Sequence, residues 1–239
     1  MMRLEALREQ VCRANQRLVG ERLVTLTWGN VSGFDVDSGL VAIKPSGVGY
    51  AELTPAAIVL VDLEGETVEG ALRPSSDTPT HVLLYQHFRE RGADVAGITH
   101  THSPKATAFA QARRAIPCLG TTHADHFHGP VPVTRPLSAE EVERAYEANT
   151  GRVIVEATAD LDPAAMPGVL VAGHAPFAWG KSANHSVDNA VALEAVAAMN
   201  LDTAALTHDQ APPLLEDHVL DKHHRRKHGP DAYYGQARS

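Results

Sequence analysis

His100 and His102 stand one residue apart at the end of the short apolar run Val95-Ala96-Gly97-Ile98-Thr99. On a β-strand, side chains i and i+2 point to the same face. The two imidazoles would then stand side by side, able to grip one divalent ion between them. Ser103-Pro104 follows at once. Serine is a favoured N-cap and proline a favoured first helical residue, which places the pair at a strand-to-helix junction. In a chain with 14 histidines the spacing alone is weak evidence, since such a pair also arises by chance or as a solvated strand end. Two further residues strengthen it. Asp77 in Pro74-Ser75-Ser76-Asp77-Thr78-Pro79 and His174 in Ala172-Gly173-His174-Ala175-Pro176 occupy comparable places, at element edges flanked by Gly or Pro. Three imidazoles and one carboxylate would complete a zinc ligand set. Asp77, the weakest of the four ligands, is the one expected to loosen for substrate.

The elements that must position these groups alternate along 239 residues, and one domain spanning 1–239 fits best. Leu4 to Glu21 carries apolar residues at helical spacing. Leu23 to Leu26 and Gly39 to Ile43 read as strands, Ile58 to Asp62 and Thr67 to Glu69 as a hairpin. Helices are predicted over Thr78 to Glu90, Pro104 to Ala112, a stretch running towards Thr150, Asn184 to Met199 and Leu214 to His228. The third of these starts with a capping box, Ser138 and Glu141. Val153-Ile154-Val155 fits strand or helix, and Gly168 to Ala172 and Phe177 to Trp179 read as strands. Hairpins mixed with helices predict an α/β fold with a largely antiparallel sheet covered by helices.

Composition narrows the function classes. A net charge of −8 argues against nucleic acid and anionic membrane surfaces as partners. Runs such as Ala56 to Val61 are too short to cross a bilayer. Residues 1–8 are charged and lack the apolar core of a signal peptide, so a cytoplasmic location is expected. Cys12 and Cys118 have no metal or disulfide spacing and read as buried thiols.

An anionic substrate would need a local site. Trp28-Gly29-Asn30-Val31-Ser32-Gly33, Lys44-Pro45-Ser46-Gly47-Val48-Gly49 and Pro74-Ser75-Ser76-Asp77-Thr78-Pro79 offer amides, hydroxyls, one lysine and a helix N-terminus. Each is individually also what a plain turn looks like. There is no Walker A loop and no GxGxxG. Candidates for proton transfer lie further on. Asp125, in Thr121-Thr122-His123-Ala124-Asp125-His126, could equally form an Asx-turn. Tyr233 and Tyr234 follow the basic stretch Lys222-His223-His224-Arg225-Arg226-Lys227-His228, which reads either as a solvated helix face or as a phosphate-facing patch.

Taken in order, these blocks, with Gly120 to Asp125, Met166 to Val171, Gly180-Lys181, Arg226 to Gly229 and Ala232 to Gln236, resemble the L-ribulose-5-phosphate 4-epimerase family of the class II aldolase/adducin superfamily. The resemblance implies a three-layer α/β/α fold with a mostly antiparallel central sheet. It makes Asp77, His100, His102 and His174 the ligands of Zn2+, with Mn2+ or Co2+ suiting the same donors. It assigns Gly29, Asn30, Lys44, Ser46, Gly47, Ser75, Ser76, Thr121, His223 and Arg226 to a phosphorylated ketopentose. Asp125 and Tyr234 become the proton-handling pair on opposite substrate faces. It also implies a cyclic homotetramer with active sites at subunit interfaces, Tyr234 and the basic helix around His223 and Arg226 being lent by a neighbour.

The chemistry behind that assignment is specific. C4 of a 2-ketopentose is β to the carbonyl and has no acidic hydrogen, so inversion there requires the C3–C4 bond to break and re-form. A Lewis acid would stabilise the enediolate left behind. Three alternatives remain. Aldolase relatives carry Glu where this chain has Asp77, an adducin-like module would have lost its histidines, and a zinc hydrolase would need a general-base glutamate as in HExxH. The chain departs from its relatives at Ala172-Gly173 and Ala175 around His174, and in extra residues near Arg89 to Gly92.

Overall fold

A computed structural model of the chain describes residues 2–208, 211–229 and 232–233. A seven-stranded sheet runs through its centre in the order β4-β3-β2-β1-β5-β7-β6, with every neighbouring pair antiparallel. The strands are β1 (Asn30–Asp35), β2 (Leu40–Ile43), β3 (Val59–Val61), β4 (Thr67–Glu69), β5 (Gly97–His100), β6 (Gly168–Leu170) and β7 (Pro176–Gly180). The helices are α1 (Glu5–Gly20), α2 (Thr78–Glu90), α3 (Pro104–Gln111), α4 (Thr121–Ala124), α5 (Ala139–Thr158), α6 (Ala183–Thr207) and α7 (Asp217–His228).

The period-2 pleat sorts side chains into two cores. Leu40, Ala42 and Leu60 face α1 and the start of α6, packing with Val11, Leu18 and Val187. Val41, Ile43, Val59 and Val61 face the other way, against Val82, Leu84, Tyr85 and Phe88 of α2 and Ile154 of α5. The result is the three-layer α/β/α arrangement the resemblance implied. A third cluster joins Ala106 and Ala110 of α3 to Leu193, Val196 and Ala197 of α6.

Two expectations are corrected, one left open is settled and one is refined. Leu23 to Leu26 is a turn, with Arg22 and Leu26 both left-handed at φ 59° and 54°. The stretch read as a turn, Trp28 to Gly33, instead opens β1 at Asn30. As a central strand buried on both faces, β1 has no polar–apolar alternation to read. Val153-Ile154-Val155 is helical, because α5 runs on to Thr158 past a break at Ala145 (φ −165°, ψ 72°). Ser103 holds the N-cap position of α3 without a capping hydrogen bond. The Glu194 carboxylate from α6 accepts from the Lys105 and Ala106 N–H groups instead, both at 2.9 Å.

One helix among the described residues, α6, is long and apolar enough to cross a membrane. Here Val187, Leu193 and Val196 pack it against the sheet and α3, and Asn189 donates to the Trp179 carbonyl at 2.8 Å. It is the core helix of this fold.

Candidate active site

β5 carries His100 at its C-terminal end, where it pairs with Asn30 on one side and Phe177 on the other. His102 follows two residues on, and His174 sits on the hairpin between β6 and β7, whose tip is allowed by Gly173 at φ +74°. The chain beside them runs very close. A Cβ on Gly29, itself at φ +82°, would lie 2.7 Å from the His100 carbonyl oxygen, so only glycine fits there. Ligand atoms of His100, His102 and His174 all lie within 4.8 Å of one another, and the ring centroids are 4.9 to 5.0 Å apart.

Each imidazole is prepared to ligate. His100 Nδ1 donates to the Pro176 carbonyl at 3.0 Å, which leaves Nε2 bare for a metal. Its ring is held by stacking 4.2 Å from Phe177. His174 Nδ1 is buried with no partner among the described residues. Burial, with His100 and His102 close by, pushes His174 down to about 4. Burial likewise lowers His102. Both are neutral near pH 7, the form that binds metal. Asp77, at the N-cap of α2, lines the same cavity. Burial works to raise its carboxyl, but His100, His81 and a hydrogen bond from Asn30 hold it below the usual carboxylate range. That bond, from Asn30 Nδ2 to Asp77 Oδ2, is 2.6 Å long, and the same amide donates to Ser75 Oγ at 3.0 Å. Neutral nitrogens plus one anionic oxygen suit a divalent cation of the zinc type.

The three expected phosphate turns converge on this same cavity of about 380 Å3. Gly29 and Asn30 come from the start of β1, Lys44, Ser46 and Gly47 from the end of β2, Ser75 and Ser76 from the turn before α2. Lys44 is 2% exposed. Its Nζ reaches the Pro45 carbonyl at 3.3 Å and lies 5.0 Å over the Tyr50 ring, and burial lowers its pKa. Among the described residues no carboxylate pairs with it. A buried ammonium without a counter-ion suits an anionic ligand.

Asp125, Thr121, His223 and Arg226 do not line this cavity. Thr121 opens the one-turn helix α4, and Asp125 lies at its end beneath α7 of the same chain. Arg226 donates to both Asp125 oxygens at 3.1 and 2.8 Å, and His223 Nδ1 is 3.1 Å away. Burial would raise the Asp125 carboxyl, but hydrogen bonds from Arg226 and His223, with Lys227 nearby, hold it below its ordinary value. His223 and Arg226 of α7 thus pair with Asp125 of their own chain. Tyr234 lies outside the described residues. A larger hollow of about 830 Å3, lined in part by His126, Trp179 and His185, contains none of the expected site residues.

Sequence reasoning missed His81, Tyr50 and Trp28 as parts of the site. His81 is fully buried one helical turn after Asp77, with Nδ1 2.7 Å from Ser32 Oγ. The i, i+4 spacing from Asp77 was the signal that could have found it. Tyr50 donates to the carbonyls of Trp28 and Gly29 at 2.6 and 2.9 Å.

The fold and the histidine–carboxylate cavity define a metal-dependent class. The model of the class II aldolase and adducin N-terminal domain matches residues 9–201, and the chain belongs to that family. Within it, the chain is 51% identical over 233 residues to the L-ribulose-5-phosphate 4-epimerase UlaF of Salmonella paratyphi C (strain RKS4594), covering 98% of this chain and 100% of that protein. The Salmonella typhi enzyme of the same name matches equally, at 51%. Among solved structures, an L-fuculose 1-phosphate aldolase superposes with a TM-score of 0.77 at 24% identity, over 92% of this chain and 95% of that one. YgbL from Klebsiella pneumoniae, described as a putative aldolase/epimerase/decarboxylase, gives 0.69 at 22%, over 93% and 99%. These two likenesses concern the fold.

Proposed function

We propose that this chain is an L-ribulose-5-phosphate 4-epimerase, interconverting L-ribulose 5-phosphate and D-xylulose 5-phosphate by breaking and re-forming C3–C4. The observation that carries the reading is the single cavity in which His100, His102, His174 and Asp77 meet Lys44, Ser46, Ser75 and Ser76. The histidines and Asp77 suit a divalent metal, and Lys44 with the serines suits a phosphate. The 51% identity to UlaF over nearly the whole chain supports the same assignment.

Zn2+ held by the three histidines and Asp77 supplies Lewis-acid stabilisation of charge developing on the substrate carbonyl oxygen. Ser46, Ser75, Ser76, the amides at Gly29 and Gly47, and the Lys44 ammonium hold the phosphate. Asn30 keeps the Asp77 carboxylate aimed while contacting the phosphate turn. Asp125, kept ionised by Arg226 and His223, is the group suited to accept the C4 hydroxyl proton on one face. Tyr234 serves the opposite face. Because Asp125 lies outside the cavity of its own chain, it serves the cavity of a neighbour in a cytoplasmic homotetramer.

A coupled assay that follows D-xylulose 5-phosphate formed from L-ribulose 5-phosphate tests the reading. Activity is expected to vanish on chelation and return with zinc, and His102→Ala is expected to bind no stoichiometric metal. Full epimerase activity in protein verified as metal-free would end it.

A further inference from the structure

We propose that the Trp28 indole is the retaining wall of the active site, the surface that keeps the cleaved aldehyde fragment in place while it turns its other face. The inference rests on the epimerase reading above. Trp28 lines the cavity beside the ligand His102, with ring centroids 6.2 Å apart and planes inclined at 57°. Gly29 and Asn30, which line the same cavity, follow it directly in the chain. Its indole is 52% exposed, whereas the other tryptophan, Trp179, is 1% exposed. The backbone beneath it is fixed. Trp28 N–H donates to the Thr25 carbonyl at 3.1 Å, and the Tyr50 hydroxyl reaches the Trp28 and Gly29 carbonyls. Arg22, Leu26 and Gly29, all left-handed, turn the segment that carries Trp28 to the cavity. A large ring on a pinned backbone, lining an otherwise polar cavity beside a metal ligand, offers that cavity an apolar face for a substrate fragment to pack against.

The chemistry supplies the ligand. Loss of the C4 hydroxyl proton to a base lets the C4 oxygen become a carbonyl. The C3–C4 electron pair moves onto C3 and C2, giving the enediolate of dihydroxyacetone and free glycolaldehyde phosphate. Epimerisation needs the aldehyde to rotate, then C3 to attack its other face while the new C4 oxygen regains a proton. If the aldehyde leaves first, C3 takes a solvent proton and dihydroxyacetone departs as well. A hydrogen-bonding wall would fix one aldehyde face and block inversion. An absent wall would admit water and let the fragment out. The face of an indole, unlike the N–H at its edge, makes no directional bond to the carbonyl, so it excludes water while permitting rotation.

The test compares Trp28→Ala and Trp28→Phe with the wild type, starting from L-ribulose 5-phosphate. The reading is the ratio of glycolaldehyde phosphate released to D-xylulose 5-phosphate formed. Trp28→Ala should raise that ratio at least tenfold with bound metal and subunit assembly unchanged, and Trp28→Phe should restore most of the retention. In the wild type, acrylamide should quench the exposed Trp28 and lose access to it once the equilibrium mixture of the two pentose phosphates saturates the enzyme. A Trp28→Ala enzyme that turns over slowly at an unchanged ratio, or that loses assembly without leaking aldehyde, would overturn the proposal. A wild-type protein with no epimerase activity would instead sink the functional reading on which it stands.

Discussion

His81 shows how one buried residue ties the metal wall to stability. Its Nδ1 meets Ser32 Oγ, which in turn lies 2.8 Å from the Tyr85 hydroxyl, while Nε2 is buried without a partner among the described residues. Burial takes its pKa down to about 3. An unfolded histidine titrates near ~6.5. Between these values the unfolded chain binds the extra proton, so stability falls as pH drops from 6.5 towards 3. His123 and His174, each pushed down to about 4 chiefly by burial, act in the same direction. Urea titrations of the metal-free protein should therefore show stability declining from pH 7 to pH 5. His81 should account for about 1.4 kcal/mol per pH unit well below its unfolded pKa. His81→Gln, which cannot titrate, should flatten the decline by that amount, and an unchanged slope would show that His81 is not held neutral. At this scale much of the site was legible. His100, His102, His174, Asp77 and the phosphate turns are marked by local spacing and turn chemistry. The surroundings of Asp125 were not, because its partners lie 98 and 101 residues further along the chain.

Elements were legible where one face meets water or a cap marks the end. The bounds of α2, the capping box of α5 and the β3–β4 hairpin all follow from local signals. Within the capping box, Ser138 Oγ accepts from Glu141 N–H at 3.2 Å, and the Glu141 carboxylate accepts from Ser138 N–H at 2.7 Å. β1 was not legible, since Ser32 is buried on a strand paired on both sides and is satisfied by His81 and Tyr85. Contact between layers is equally silent in one dimension. Gly97 opens β5 directly against the start of α6, and a Cβ there would lie 2.2 Å from the Ser182 carbonyl and 2.5 Å from the Ala183 nitrogen. Backbone, not a flexible side chain, blocks the space, so β5 or α6 must move. Gly97→Ala is expected to lower unfolding stability by about 1–3 kcal/mol. Because β5 also carries His100, the variant should lose metal faster on dialysis against a chelator. Wild-type stability together with wild-type metal retention would mean that the two elements are not in such close contact.

At the scale of the whole molecule, one chain holds two clusters of expected site residues that do not share a cavity. The histidine-lined cavity lies at the start of β1 and the ends of β2 and β5, while Asp125 lies under α7 with His223 and Arg226. Tyr233 N–H donates to the Arg226 carbonyl at 3.0 Å, which keeps the chain leading to Tyr234 on the α7 side. From the sequence alone, Asp125 and Tyr234 were expected to come from different subunits. The fold places Asp125 and Tyr233 on one side of one chain, so under the proposed function the productive pairing is expected between this side and a neighbour's cavity. Hybrid oligomers separate the two arrangements. His102→Ala spoils a cavity and Asp125→Asn spoils a proton acceptor, and each should be inactive alone. In a 1:1 mixture refolded together into rings, an interface is complete when an Asp125→Asn chain supplies the cavity and a His102→Ala chain supplies Asp125. Random assembly makes about a quarter of the interfaces complete, so activity should return to about that fraction of wild type. Asp125→Asn mixed with Tyr234→Phe should recover nothing under the same proposal, which gives both residues to one half-site. Recovery in the second mixture but not the first, in hybrids shown by mass to contain both chains, would mean that the cavity and Asp125 work within a single subunit.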